Sequence, residues 1–122
     1  MKQAVKTHLP DIGPIEWAVK SDDTLYATMV PINEDGSLEL GEPDAQVALT
    51  FENIKKTMEA AGGSTADITM VQVFLTDLKY SQAVNEHWPQ YFDAPFPNRA
   101  TIVVSGLVAP GMIIECCFHA HL

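Results

Sequence analysis

Two side chains in the last quarter of the sequence stand out chemically. Arg99 is the only arginine in the protein, and Arg99 and Glu115 are the only residues formally charged at neutral pH between positions 94 and 122. Arg99 follows the proline-rich stretch Ala94-Pro95-Phe96-Pro97 and opens an apolar run, while Glu115 interrupts Met112-Ile113-Ile114 and Cys116-Cys117-Phe118. A carboxylate in such surroundings is costly to bury unless it is paired, hydrogen-bonded or neutralised. One reading makes Arg99 a planar, forked clamp for a ligand carboxylate and Glu115 a nearby general acid/base. The other pairs the two with each other across a sheet, or turns Glu115 to solvent from an edge strand. The residue types alone leave both open.

Other chemistries are poorly supported. Cys117, His119 and His121 alternate along one strand face, and a His-x-His pair can bind zinc, but a fourth ligand has no candidate and terminal residues fray. No metal is expected. His8 and His87 have no ligating spacing and are expected at the surface or facing a partner. The neighbouring thiols Cys116 and Cys117 would need a strained conformation to join, so both are expected reduced, and neither has a flanking base to activate it. Gly62-Gly63 lacks the spacing and the Lys-Ser/Thr of a phosphate loop. With 7 Lys+Arg against 16 Asp+Glu, the net charge of −9 disfavours binding to nucleic acid or to anionic membranes. The start, Met1-Lys2-Gln3-Ala4-Val5-Lys6, lacks the apolar stretch of a signal peptide, and no apolar run approaches the ~20 residues of a membrane span. A cytoplasmic protein is expected. At 122 residues and 47% apolar content, one domain over residues 1–122 is the natural expectation.

The elements that must position these groups follow from periodicity and punctuation. Residues 24–32 are rich in β-formers and run into the turn Asn33-Glu34-Asp35-Gly36, with 37–40 available to pair back. Over 43–61 the apolar residues Val47, Phe51, Ile54 and Met58 fall at helical spacing, with Pro43 in the first turn and Gly62-Gly63 as the C-terminal cap. Residues 68–76 read as a central strand, with Ile68, Met70 and Phe74 on one face and Val71, Val73 and Leu75 on the other. A second helix is predicted over 81–92 with Ser81 as its cap and a kink or early end at Pro89. Two strands, 100–104 and 112–120, close the chain. This order suggests an α+β fold in which a mixed sheet carries two helices on one face. The face bearing Val71, Val73 and Leu75 is then left bare and apolar, to be covered most simply by another subunit.

Taken in order, the segments resemble the RidA (YjgF) family of imine/enamine deaminases over nearly the whole chain. They are Ile12-Gly13-Pro14, Val30-Pro31-Ile32-Asn33, Asn53-Ile54, Ala60-Ala61-Gly62, Asp67-Ile68, Val73-Phe74-Leu75-Thr76-Asp77-Leu78, Val84-Asn85, Phe96-Pro97-Asn98-Arg99 and Ile114-Glu115. The resemblance implies a chorismate-mutase-like subunit, a homotrimer, and small-molecule sites in clefts between subunits. It implies that Arg99 grips a substrate carboxylate, that Glu115 activates water, that Asn85 lies close by, and that Thr101 stands where many members have a cysteine. It implies hydrolysis of short 2-imino or 2-enamino acids, of the 2-aminoacrylate type, to a 2-keto acid and ammonia, with no cofactor. Two departures bear on substrate: Ile15 replaces the usual aromatic after Gly-Pro, and Ala27-Thr28 replaces a usual Ser-Gly, with Trp17 placed to supply a replacement wall. They leave open a catabolic deaminase for a larger, aminomuconate-like substrate, or a non-catalytic carboxylate-binding or regulatory trimer.

Overall fold

The computed structural model describes residues 1–122. Six strands form one mixed sheet: β1 (Lys2–Ala4), β2 (Ala18–Ser21), β3 (Thr24–Met29), β4 (Ile68–Leu75), β5 (Asn98–Val103) and β6 (Ile114–His121). Their spatial order is β1-β2-β3-β6-β4-β5, antiparallel throughout except for the parallel pair β4–β5. Two helices, α1 (Pro43–Ala60) and α2 (Ser81–His87), pack on one side. No helix is long and apolar enough to cross a membrane.

α1 forms where its apolar periodicity places it. Val47, Phe51, Ile54 and Met58 are all fully buried. Gly62, at φ +87°, ends the helix in a left-handed turn: its N–H donates to the Glu59 carbonyl, and that of Gly63 to Met58 at 2.9 Å. Phe51 is the hub beneath α2, with Trp88, Tyr91 and Phe92 presenting ring edges to it at 5.7–6.2 Å.

Two buried amides on α1 stitch the connecting chain to the core. Gln46 Nε2 donates to the carbonyls of Gly41 and Gly111, while its Oε1 accepts from the Ile113 N–H, one residue before β6 begins. Asn53 Nδ2 donates to the Val30 and Ile32 carbonyls just after β3, and its Oδ1 shares a 2.8 Å hydrogen bond with His8 Nε2. Buried backbone groups outside the ladders need such partners, so these two residues hold the ends of β3 and β6 in place.

Several expectations are corrected. Val71, Val73 and Leu75 are not bare; they lie in the core on the helix side. The alternation misleads because the ladder shifts register between Ile68 and Met70, so Ile68 joins the buried side while Met70, Gln72 and Phe74 turn to the open face. The second helical segment is broken: a 3₁₀ turn at Leu78–Tyr80 leads into α2, which ends at His87, and a second 3₁₀ turn spans Trp88–Gln90 around Pro89. Ser81 is therefore inside the helix, and Asp77 starts the segment by accepting from the Lys79 N–H. His8 bonds the buried Asn53 and so faces the core, while His87 bonds the largely exposed Asp44 at 2.7 Å at the surface. β1 and β2 form from short segments of mixed polarity that carry no strand signal of their own. The hairpin β2–β3 turns on Asp22-Asp23, with Asp22 at φ 51°, a conformation that Asp tolerates better than most residues.

Candidate functional site

The site residues fall into two groups on opposite sides of the sheet. The first lies along β5, an edge strand. Arg99 pairs in register with Val71, which faces the core, and its guanidinium points to the helix side, where Nη2 donates to Asn85 Oδ1 at 2.7 Å. Its Cζ stands 4.7 Å from the Trp88 ring centroid. Asn85 and Trp88 are three residues apart, one turn of chain, which brings both to the same side. Trp88 is itself held by Phe92, 4.2 Å away, and by Phe51. The guanidinium is thus oriented by an amide and an aromatic face while keeping donors free. Thr101, two residues along β5, points to the same side and is exposed. The spacing of Trp88 from Asn85 is the signal in the sequence that ties it to Arg99.

The second group lies on the open face. Ile114 and Cys116 are fully buried toward the helices, so Glu115 between them points the other way, beside Phe74 of β4. Its carboxyl has no hydrogen bond or ion pair within the chain, and burial raises its pKa above the ordinary 4.5. The internal pairing of Arg99 with Glu115 is therefore not what the chain adopts; its lysine or arginine ion pair is Lys56–Glu34. Two residues beyond Glu115 comes Cys117, paired in register with Thr28 and within 3.5 Å of its hydroxyl. Thr28 and Cys117 line a cavity of about 280 Å³ with Trp17, Val19, Tyr26 and His119. Trp17 is fixed by its indole N–H donating to the Pro10 carbonyl at 2.9 Å, and His119 by an edge contact with Tyr26 at 5.0 Å. Ala27 borders this cavity through its backbone, its side chain being in the core. Ile15, 63% exposed, lies with Trp17 on an adjoining groove of about 320 Å³. Cys117 and His119 share the open face, yet no three His, Cys, Asp or Glu side chains gather closely enough to hold a metal. Cys116 is fully buried, and desolvation raises its thiol pKa, so it is an unreactive core residue.

Residues 6–122 match the family model described as Endoribonuclease L-PSP, which covers the RidA proteins. The chain belongs to the RidA (YjgF) family. It is 33% identical to the 3-aminoacrylate deaminase RutC of Acinetobacter baylyi over 115 residues, covering 93% of this chain and 90% of RutC. Among solved structures, the Rid-family protein YyfA of Yersinia pestis superposes with a TM-score of 0.92 at 31% identity over the full length of both chains. TdcF of E. coli, solved with bound serine, gives 0.88 at 28% identity, with 98% of each chain covered. Within this RidA-family framework, the two groups of side chains stand on opposite faces of one sheet, one organised around a cation and the other around a carboxyl.

Proposed function

We propose that the protein is a hydrolytic deaminase of short 2-imino and 2-enamino acids, acting through sites completed by two subunits of a homotrimer. The single observation that carries this reading is the geometry of Arg99 and Glu115. They are the only charged groups of the C-terminal quarter, they project from opposite faces, and each is left incomplete by its own chain. Juxtaposing the open face of one subunit with the β5 edge of the next brings the cation and the carboxyl to one cavity. The exposed apolar residues Ile102 and Val103 on β5 support such contact, because an unpaired apolar edge is otherwise a liability. The deaminase relative and the serine-bound neighbour support a small amino-acid-like ligand.

In this reading Arg99 binds the substrate carboxylate with forked donors, Asn85 and Trp88 fixing its plane. The enamine tautomerises to the imine. Glu115, as carboxylate, takes a proton from a water molecule whose oxygen attacks the imine carbon, giving a carbinolamine. The nitrogen takes up that proton to complete the neutral carbinolamine; Glu115 then accepts the carbinolamine's hydroxyl proton and passes it to the nitrogen, and the C–N bond breaks as the carbonyl of the keto acid forms and ammonia leaves. Thr101, on the same side of β5 as Arg99, is placed to hydrogen-bond the water. A positioned base contributes ~10²–10⁴-fold, enough for a reaction that already proceeds in water, so no cofactor is required. The endoribonuclease in the family's description finds no support in a chain of net charge −9.

The test generates imino acids in situ with an amino-acid oxidase and follows keto acid and ammonia. Accelerated release over the spontaneous rate is expected. Saturable ligand binding without turnover would favour instead a non-catalytic carboxylate-binding trimer, the alternative that Ile15 and Ala27-Thr28 raise. A preference for long dicarboxylates would favour the larger, aminomuconate-like substrate.

A further inference from the structure

The Trp88 ring beside Arg99 sits on a short, broken stretch of chain. α2 has seven residues, fewer than a helix needs to hold itself together in water. Trp88 follows at its end, and Pro89 after it offers no N–H to the backbone. The Trp88 carbonyl accepts from the N–H groups of Tyr91 and Phe92, both at 3.1 Å, which closes the turn without tying it to another element. That tie comes from α1. Phe51 packs against the rings of Trp88, Tyr91 and Phe92, and on either side of Trp88 a polar side chain reaches across. His87 Nε2 donates to Asp44 Oδ1 at 2.7 Å, and the Tyr91 hydroxyl donates to Glu52 Oε2 at 3.0 Å. His87 and Tyr91 are four residues apart, about one turn, whereas Asp44 and Glu52 are eight apart, about 12 Å along α1 at 1.5 Å per residue. Two bonds so separated stop the turn from pivoting about Phe51. Burial and the Glu52 carboxylate push the Tyr91 phenol up to about 12, so it stays a donor at neutral pH. Neither pair bonds Arg99, whose guanidinium reaches Asn85.

We propose that His87 and Tyr91 are positioning residues for the carboxylate clamp: tied to Asp44 and Glu52 of α1, they fix the Trp88 ring against Arg99 and so set how tightly a substrate carboxylate is held. This rests on the reading of Arg99 as that clamp and adds the side chains that control it. A ring free to tilt would present its face to the guanidinium for only part of the time, and the guanidinium would then lose orientation that binding must restore. The four side chains act through the ring and not through contact with the ligand.

The experiment measures the dissociation constant of pyruvate, a 2-keto acid whose carboxylate needs the clamp but no turnover, alongside kcat for the alanine-derived imine. Tyr91→Phe and Asp44→Ala should each weaken pyruvate about threefold, and the two combined about tenfold, the loss expected of Trp88→Ala, because that is the size of the cation–π contact being loosened. Turnover at saturation should stay within about twofold, as for any change confined to uniform binding. In a Trp88→Ala background the same substitutions should cause no further loss, the coupling that action through one ring requires. A dissociation constant does not depend on the fraction of protein folded, so a less stable variant still reports. Equal losses with and without Trp88 would make the two bonds merely structural and overturn the proposal. Unchanged affinity in both single variants, or a fall in kcat as large as the fall in affinity, would overturn it too. A parent that binds pyruvate yet accelerates no imine overturns the deaminase and leaves the positioning pairs standing. A parent that binds no pyruvate removes the clamp and these pairs with it.

Discussion

The surroundings of Arg99 and of Glu115 are built on different plans. Arg99 is pre-organised within its own chain, its guanidinium bonded to Asn85 at 2.7 Å and laid 4.7 Å from the centre of Trp88, which the aromatic cluster around Phe51 holds still. Glu115 is placed by its backbone alone: Gln46 fixes the entry to β6 through Ile113, buried neighbours on either side dictate the face, and the carboxyl itself has no partner. A cation set in advance can grip a carboxylate with little loss of side-chain entropy. An acid left half-buried and unpartnered has the raised pKa suited to moving protons. On the proposed function, the contrast means that binding and proton transfer are prepared on separate surfaces and are brought together by assembly.

Removing the organised half should have the largest effect. Arg99→Ala is expected to lower kcat/KM about 10⁴-fold, as truncation of a buried charge partner costs about 5 kcal/mol, with Arg99→Lys falling between because it keeps charge and loses the fork. Steady-state kinetics on the alanine-derived imine checks both. Glu115→Gln should lower kcat about 10³-fold with little change in KM, the pattern of a group that acts in the transition state. In the parent, the acid limb of the kcat/KM profile should titrate above 4.5, because Glu115 must be ionised to act and burial raises its pKa. In Glu115→Gln that limb should vanish from the residual rate. A rate independent of pH across this range in the parent would remove Glu115 as base.

Smaller changes sharpen the contrast. Trp88→Ala takes away the aromatic face under Arg99 and should raise KM about tenfold while sparing kcat, given about 1–2 kcal/mol for a partly desolvated cation–π contact. Equal losses in KM and kcat would mean that Trp88 acts through the fold. The smallest effect is on stability. A carboxyl whose folded pKa exceeds its unfolded value binds more protons in the native state, so its contribution to stability falls as pH rises through that window. Glu115→Gln should therefore melt at a higher temperature than the parent at about pH 8, and the difference should shrink toward about pH 4. A difference that grows on acidification would mean that the carboxylate has a stabilising partner in the assembly.

How much of this was legible in the sequence depends on whether the determining contacts are local. α1 was readable because Val47, Phe51, Ile54 and Met58 repeat at the helical period between Pro43 and Gly62. The broken second helix announced itself through Pro89. The exposed side of β4 was not readable, because a register shift near Thr69 reverses the alternation without any glycine or proline to mark it. β1 and β2 were missed because Lys2–Ala4 and Ala18–Ser21 are short and mixed in polarity, forming strands through their neighbours and not through propensity. In the candidate site, Arg99 and Glu115 were visible as isolated charges in apolar sequence. That they point to opposite faces required the ladder, since the two residues sit on strands separated by β4. Gln46 and Asn53 look like ordinary polar positions on a helix until the loops they hold are seen.

The proposed completion of each site by two chains is tested by mixing the two variants expected to be inactive. Arg99→Ala subunits retain the carboxyl, and Glu115→Gln subunits retain the guanidinium. Unfolded together in equal amounts and refolded, they should assemble at random, and every mixed trimer then holds one interface with both groups intact. That restores about a quarter of the parent's sites. Recovery of about a quarter of the parent activity, absent when either variant is refolded alone, is the expected result. Mixed trimers, verified by mass, that stay as inactive as the separate variants would contradict it.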